Sequence, residues 1–516
     1  MWFHKYISEK WHFSRRVSAQ IALLCICRFA EPLALTCIFP YLYFLIKSFE
    51  TPESDISFYA GIVSAAFSVG QFLSSVLWGR WADVYGRKPM VLIGLGGTLV
   101  SLILLAFSTN VYMLISARLL GGLLNGNVGI LRTMVGDLVT DRKQQTTAFT
   151  IMPAVWGIAS FIGPVIGGAL ADPISNHPGF FGKNPPRLFV EYPFCLPPLV
   201  ISLFLLWGMS LGFLFVEETL PAKINRRDIG RELGNKLYFI LWTRWKQSGA
   251  NDEEVEPLLR NSQGPDVESR NTATPQAPSD SDETPSFLTV FTAQSSLNFL
   301  FYGLLALHTL SFDQLLPIFL SYSVQGPDEQ YLPFKFAGGL GLSSTTVGWI
   351  LALTGGVFTI AQVVLYHRIA ESFGVLRSLG FSAYLYPICY IGVPFLAVIT
   401  AWFKYSLLSL ILVVKTLAQV ISFPASMVLI NALAGPDGKM RGSLNGIATA
   451  VAAVGRMVGP TIWGFLFSRG MKSGYAIIPW WTLAATAIVA GVPVLFVTYG
   501  HEEDAKQDSP EEGESH

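Results

Sequence analysis

The sequence predicts an all-α membrane protein: twelve transmembrane helices in two parallel-repeat six-helix bundles. Three observations carry this. Only 14% of the 516 residues are charged, against about 25% in a soluble globular chain. The mean hydropathy is +0.46. The apolar residues also gather into runs separated by polar links, each long enough to cross a bilayer, which takes about 20 helical residues.

The runs fall at 18–47, 58–79, 89–108, 111–136, 145–171, 194–216, 287–322, 344–366, 376–400, 404–433, 442–468 and 476–498. Twelve crossings put both termini on one side. Arg15, Arg16, Arg80, Arg87, Lys88, Arg142, Lys143, Arg368, Arg377, Lys439 and Arg441 all fall on that side. The opposite links carry only scattered cations: Lys47, Lys183, Arg187, Lys335, Lys404, Arg469 and Lys472. Cations stay cytoplasmic, so both termini are expected in the cytoplasm. The first run is too long for a signal-peptide core and is read as an uncleaved span.

The organisation expected is a polar tail (1–17), a first bundle (18–216), a central loop (217–286), a second bundle (287–499) and an acidic tail (500–516). In the central loop, Lys223–Gln247 mixes cations with Leu237, Phe239, Trp242 and Trp245. That pattern fits a helix on the membrane surface, or an ordinary solvated linker helix. Asn251–Pro285 is rich in acid, Ser, Thr and Pro and is expected to be disordered, as is the acidic tail. Within it, Glu254-Val255-Glu256-Pro257-Leu258-Leu259 resembles an acidic dileucine sorting signal.

Three pairs of segments recur in order across the halves. Phe39-Pro40-Tyr41-Leu42 matches Leu316-Pro317-Ile318-Phe319, each read as ending an apolar run. Arg80-Trp81-Ala82-Asp83-Val84-Tyr85-Gly86 matches Arg368-Ile369-Ala370-Glu371-Ser372-Phe373-Gly374. Gly163-Pro164 matches Gly459-Pro460. Parallel repeats produce this order.

Some functions are excluded. Lys+Arg and Asp+Glu both total 35, so net charge points to no nucleic-acid partner. There is no phosphate-binding P-loop, hence no ATP drive. No Ser-His-Asp or HExxH arrangement suggests an enzyme, and no cofactor or metal site is expected. The five cysteines lie in or beside apolar runs and read as small packing residues. No Asn-x-Ser/Thr sequon occurs.

Between the second and third runs stands Gly79-Arg80-Trp81-Ala82-Asp83-Val84-Tyr85-Gly86-Arg87-Lys88. Gly79 and Gly86 suit a tight turn, Arg87 and Lys88 anchor it in the cytoplasm, and Asp83 can pair or cap. It could be an anchor and nothing more. The pattern G-x-x-x-D-x-x-G-R-K nevertheless resembles the loop-2/3 signature of the major facilitator superfamily of transporters. With Arg132, Asp137 and Arg142, the loop would form a charge cluster that latches one conformation.

The fourth run, from Arg118 through Gly121 and Gly122 to Gly126, resembles the family's span-four motif, which implies an embedded cation linked to proton coupling. The same glycines could serve helix packing alone. In the fifth run, Gly157, Gly163, Pro164, Gly167 and Gly168 match G-x-x-x-x-x-G-P-x-x-G-G, which marks the superfamily's drug:proton antiporter branches. Pro164 is expected to bend its helix and the glycines to give a smooth rocking face. Asn445-Gly446-Ile447-Ala448-Thr449 adds similarity to zinc-induced-facilitator-like members of fungi and plants.

Charges inside a span are costly and mark function. Arg28 and Glu31 share one helical face. They read either as a structural ion pair or as a protonatable carboxylate beside a cation. Burial disfavours a carboxylate's charge, and a neighbouring cation opposes that. In the second half His308, Asp313, Lys415 and Arg456 are the charged or titratable candidates, with Gln294, Asn298, Gln362, Gln419 and Asn445 as polar ones.

The resemblance implies a secondary active transporter of a small organic molecule, exporting by proton antiport through alternating access. It would be a monomer in the plasma or vacuolar membrane. Proton-coupled or facilitative uptake is the alternative; a membrane sensor or scaffold built around the central loop is a more distant one.

Overall fold

A computed structural model describes residues 15–139, 142–181, 185–224, 226–247, 291–326, 330–399, 401–433 and 441–498. The expected disordered loop Asn251–Pro285, its dileucine motif and the acidic tail lie outside them. Among the described residues the chain is almost wholly helical, with only isolated β-bridges.

The long helices are α1 (Arg15–Cys37), α2 (Glu53–Tyr85), α3 (Arg87–Ala106), α4 (Val111–Leu123), α5 (Asn127–Leu138), α6 (Arg142–Leu170), α7 (Leu196–Phe215) and α8 (Ile229–Gln247). The second half supplies α9 (Ala293–Ser321), α10 (Ser344–Phe373), α11 (Val375–Gly392), α12 (Ala401–Ala432), α13 (Arg441–Ser473) and α14 (Ile477–Gly491). Among the described residues, 11 spans are long and apolar enough to cross a membrane. The remaining crossing is α6. Its described apolar part is Val155–Leu170. The fold is the expected all-α, twelve-helix one.

The chain divides into two compact units. The first takes in α1–α8 together with Leu320–Tyr322 and Gly341–Gly356; the second holds the rest of the second half. Gly341–Gly356 therefore leaves the half to which its sequence position assigns it. The reason is close packing: Gly348 of α10 lies against the Pro164 carbonyl and the Gly168 Cα of α6, and Gly355 lies against the Ser160 carbonyl.

In the first unit the fourth span is broken between α4 and α5. Trp78, 2% exposed, fills the break and donates its indole N–H to the Leu123 carbonyl at 2.9 Å. A side chain on Gly126 would collide with the Trp78 ring. A broken helix leaves orphan carbonyls that need such a donor.

The two halves repeat one packing device. A Cβ on Gly163 would meet Thr36 and the Leu33 carbonyl of α1. A Cβ on Gly459 would meet Ser311 and the Leu307 carbonyl of α9. In each half the fifth helix thus rests on the first through the same glycine-proline step. The links before α3 and α11 repeat as well. Gly86 has φ 106° and ψ 152°, and Gly374 has φ 78° and ψ 155°, a region essentially closed to side-chain-bearing residues.

The proline match is looser than the sequence suggests. Pro40 stands in the turn after α1, whereas Pro317 lies inside α9, which runs on to Ser321. Pro32 sits inside α1, where Thr36 donates its hydroxyl to the Pro32 carbonyl at 2.8 Å.

Candidate functional site

The turn at residues 79–88 is tighter than its motif suggests. α2 continues to Tyr85, so Gly79 is helical and a side chain there would meet open space. Only Gly86 turns the chain. Asp83 lies on an exposed stretch of α2 and has no ion pair or hydrogen bond among the described residues. The carboxylate that meets the turn comes from elsewhere. Glu218, just past α7, accepts the backbone N–H groups of Arg87 at 3.0 Å and Lys88 at 3.1 Å. These are orphan donors at the α3 N-terminus, where the helix dipole also favours an anion.

The two cations of the motif reach different acids. Arg87 is ion-paired with Asp137 at the end of α5 and donates to the Thr219 hydroxyl at 3.3 Å. Lys88 pairs with Asp228 at 2.6 Å. Glu217 is held by Arg16 and by Arg231, each at 2.5 Å, while its N–H donates to the Gln20 side-chain carbonyl at 3.0 Å. The structure thus unites Gly86, Arg87, Lys88 and Asp137 of the expected latch. It leaves out Gly79 and Asp83, and the side chain of Arg142 lies outside the described residues. Glu217, Glu218 and Asp228 were missed in the sequence. The signal available was a doubled acid at the basic end of a span.

Deeper in the first unit, Arg28 pairs with Glu31 at 2.5 Å, their side chains 9% and 5% exposed. The guanidinium also lies 5.8 Å from the centre of the Trp156 ring. Arg118 is buried on α4, 5.1 Å from the centre of the Phe67 ring, and its Nε has no hydrogen-bond partner among the described residues. The α6 glycines are packing surfaces: Gly163 and Gly167 meet α1, Gly168 meets α10, and Gly157 and Pro164 are buried in the same helix.

The second unit carries a connected polar cluster. Lys415 of α12, 2% exposed, is ion-paired with Asp313 of α9, whose side chain is 39% exposed. The same ammonium donates to Gln419 Oε1 at 2.7 Å and lies 5.1 Å from the centre of the Phe312 ring. One turn away on α9, His308 Nδ1 is 2.9 Å from the Tyr390 hydroxyl of α11. Its ring packs edge-on against Tyr386 at 4.9 Å. Tyr386 continues the cluster to Ser422 at 3.4 Å, and Ser422 to Ser382 at 2.8 Å.

Buried polar groups need partners, and here three helices supply them to one another. The α9 spacing of His308 and Asp313 was legible in the sequence. Their partners Tyr386 and Tyr390 were not, because a lone Tyr in an apolar run reads as packing. Arg456 is half-buried on α13.

Among the described residues no group of His, Cys, Asp and Glu could hold a metal ion. The cluster holds the Lys415 cation in a low-dielectric site against the Asp313 carboxylate.

Comparisons with known proteins bear on this arrangement. The family model of the Major Facilitator Superfamily matches residues 24–338 and 318–515. The major facilitator superfamily multidrug transporter mfsB of Aspergillus fumigatus is 38% identical over 96% of this chain and 85% of its own length. The zinc induced facilitator-like 1 protein of Arabidopsis thaliana is 30% identical over 87% of this chain and 84% of its own. Among solved structures, a D-xylose-proton symporter superposes with a TM-score of 0.59, at 13% identity, over 93% of this chain and 98% of that one. With a matching family model over nearly its whole length, a close relative and the shared fold, this chain belongs to the Major Facilitator Superfamily.

Proposed function

We propose that this secondary transporter exports a small organic molecule across the membrane in exchange for protons, with access alternating between the two membrane faces. The resemblance to the multidrug transporter mfsB supports export, as does the complete glycine-proline motif of α6.

The observation that carries the coupling proposal is the unequal exposure of the Lys415–Asp313 pair. A buried ammonium in an apolar span is tolerable only while paired. Asp313 is its counter-ion and is half open, so it can exchange a proton where Lys415 cannot reach solvent. The Asp313 carboxylate can hold either a proton or a cationic or hydrogen-bond-donating group of the transported molecule, and Gln419 still accepts from Lys415 while Asp313 is protonated. Proton and molecule then compete for one carboxylate, which is the requirement for antiport. Glu31 is the second candidate. It is closed off against Arg28 and is assigned a structural part.

The test uses the full chain in proteoliposomes. Asp313→Asn is expected to abolish accumulation driven by a pH gradient while keeping exchange of labelled substrate at equal pH. Glu31→Gln is expected to retain gradient-driven accumulation. If Asp313→Asn still concentrates substrate along a pH gradient, the coupling role passes from Asp313, first to Glu31. Movement of substrate in the same direction as protons would replace export by symport.

A further inference from the structure

Away from these ion pairs, a cleft of about 670 Å³ opens between the start of α1, the end of α7 and the helix α8. Its floor is apolar, formed by Ala19, Ala22, Leu23, Ile26 and Phe215. Its rim carries three arginines, Arg16, Arg226 and Arg231.

The acids on the rim do not neutralise these arginines. Asp228 is committed to Lys88 at 2.6 Å. Glu232 is committed to Arg227 at 2.8 and 3.1 Å, and those hydrogen bonds hold its carboxyl below the usual range. Only Glu217 faces the rim arginines, and Arg16 and Arg231 share it. Arg226 has no side-chain partner among the described residues and is exposed. One acid against three guanidinium groups leaves an excess of two positive charges at the cleft mouth.

The helix that forms one wall has a second property. Gly230 and Gly234 of α8 leave no room for side chains against the carbonyls of Phe213 and Leu214, so that face is pressed onto α7. Ile229, Leu233, Leu237 and Ile240 are instead exposed at 70%, 53%, 41% and 51%. Their spacing puts them on one stripe. An apolar stripe bordered by arginines, on a helix docked at the end of a span, fits the boundary of a bilayer.

We propose that the cleft binds the headgroup of an anionic phospholipid, with its acyl chains running over Ala22, Leu23 and Ile26. Guanidinium groups recognise a phosphate through paired charge-assisted hydrogen bonds. The apolar floor gives a lipid something that a free phosphate cannot use. A zwitterionic lipid carries its own cation into a site with excess positive charge and is disfavoured. The site is continuous with the α8 stripe, so one bound lipid extends the leaflet against the helix.

The test uses the full chain in detergent with three probes: dioctanoyl phosphatidic acid, dioctanoyl phosphatidylcholine and inorganic phosphate. Thermal unfolding and native mass spectrometry are the readouts. Phosphatidic acid is expected to raise the unfolding temperature and to remain bound in the gas phase; the other two are expected to do neither. Arg226→Ala is expected to require about tenfold more phosphatidic acid, as for one lost charge-assisted hydrogen bond. Ala22→Trp, at an exposed position on the floor, is expected to abolish the effect. If Ala22→Trp does not fold, the lipid retained by Arg226→Ala decides. Equal stabilisation by phosphatidylcholine, equal stabilisation by phosphate, no response to any probe, or an unchanged response in Arg226→Ala would each overturn the proposal.

Discussion

The carboxylate of Glu218 occupies the space that a side chain on Gly86 would need: a Cβ there would stand 2.6 Å from Glu218 Oε2. The same carboxylate closes the N-terminus of α3. The missing side chain and the cap are one device, built from residues more than a hundred positions apart. Gly86→Ala is therefore expected to cost about 1–3 kcal/mol from backbone strain alone, with the displaced cap adding to it. Glu218→Ala removes only the cap and is expected to cost about 1 kcal/mol. Unfolding of the purified variants in detergent measures both, and a Gly86→Ala protein as stable as its parent would refute the linkage.

Asp83 and Asp137 make opposite predictions about the loop. Asp137 is paired with Arg87, so Asp137→Asn is expected to lower both stability and transport. Asp83 is exposed and has no ion pair among the described residues, so Asp83→Asn is expected to leave stability within about 0.5 kcal/mol. If Asp83 has a partner in another conformation, its loss shows in turnover alone. Transport rates normalised to the amount of folded protein separate the two effects, and normal turnover in Asp83→Asn would limit the latch to Asp137.

Neutralising Asp313 strands a buried ammonium. Removing one partner of a fully buried pair costs about 3–5 kcal/mol. The cost here is expected nearer 2 kcal/mol, because Asp313 is half-exposed and Gln419 still accepts from Lys415. Asp313→Asn combined with Lys415→Gln should recover much of that loss, since the charge left behind is gone. A double variant no more stable than Asp313→Asn alone would show that the two side chains do not depend on each other.

The glycines of the fifth and eleventh spans are expected to respond alike. Gly167→Val drives a side chain into the Cys37 carbonyl, and Gly459→Val drives one into the Leu307 carbonyl. Close backbone approach is what small residues permit in a membrane helix pair. Both variants should sharply reduce the yield of monodisperse protein in size-exclusion chromatography, whereas Gly79→Ala, facing open space, should not.

The sequence alone determined the crossings and the order of the repeats, because hydropathy and span length depend on local composition and a bilayer imposes a fixed thickness. It also placed Arg28, Glu31, Arg118, Asp313 and Lys415 within spans, since charge stands out against an apolar run. It did not determine which partner each would find. Only the tertiary structure shows that Lys415 faces Asp313, that His308 meets Tyr390, and that Glu218 in place of Asp83 serves the turn at Gly86. Those pairings join residues far apart in the chain. Helix rotation and packing decide them, and no local pattern encodes either.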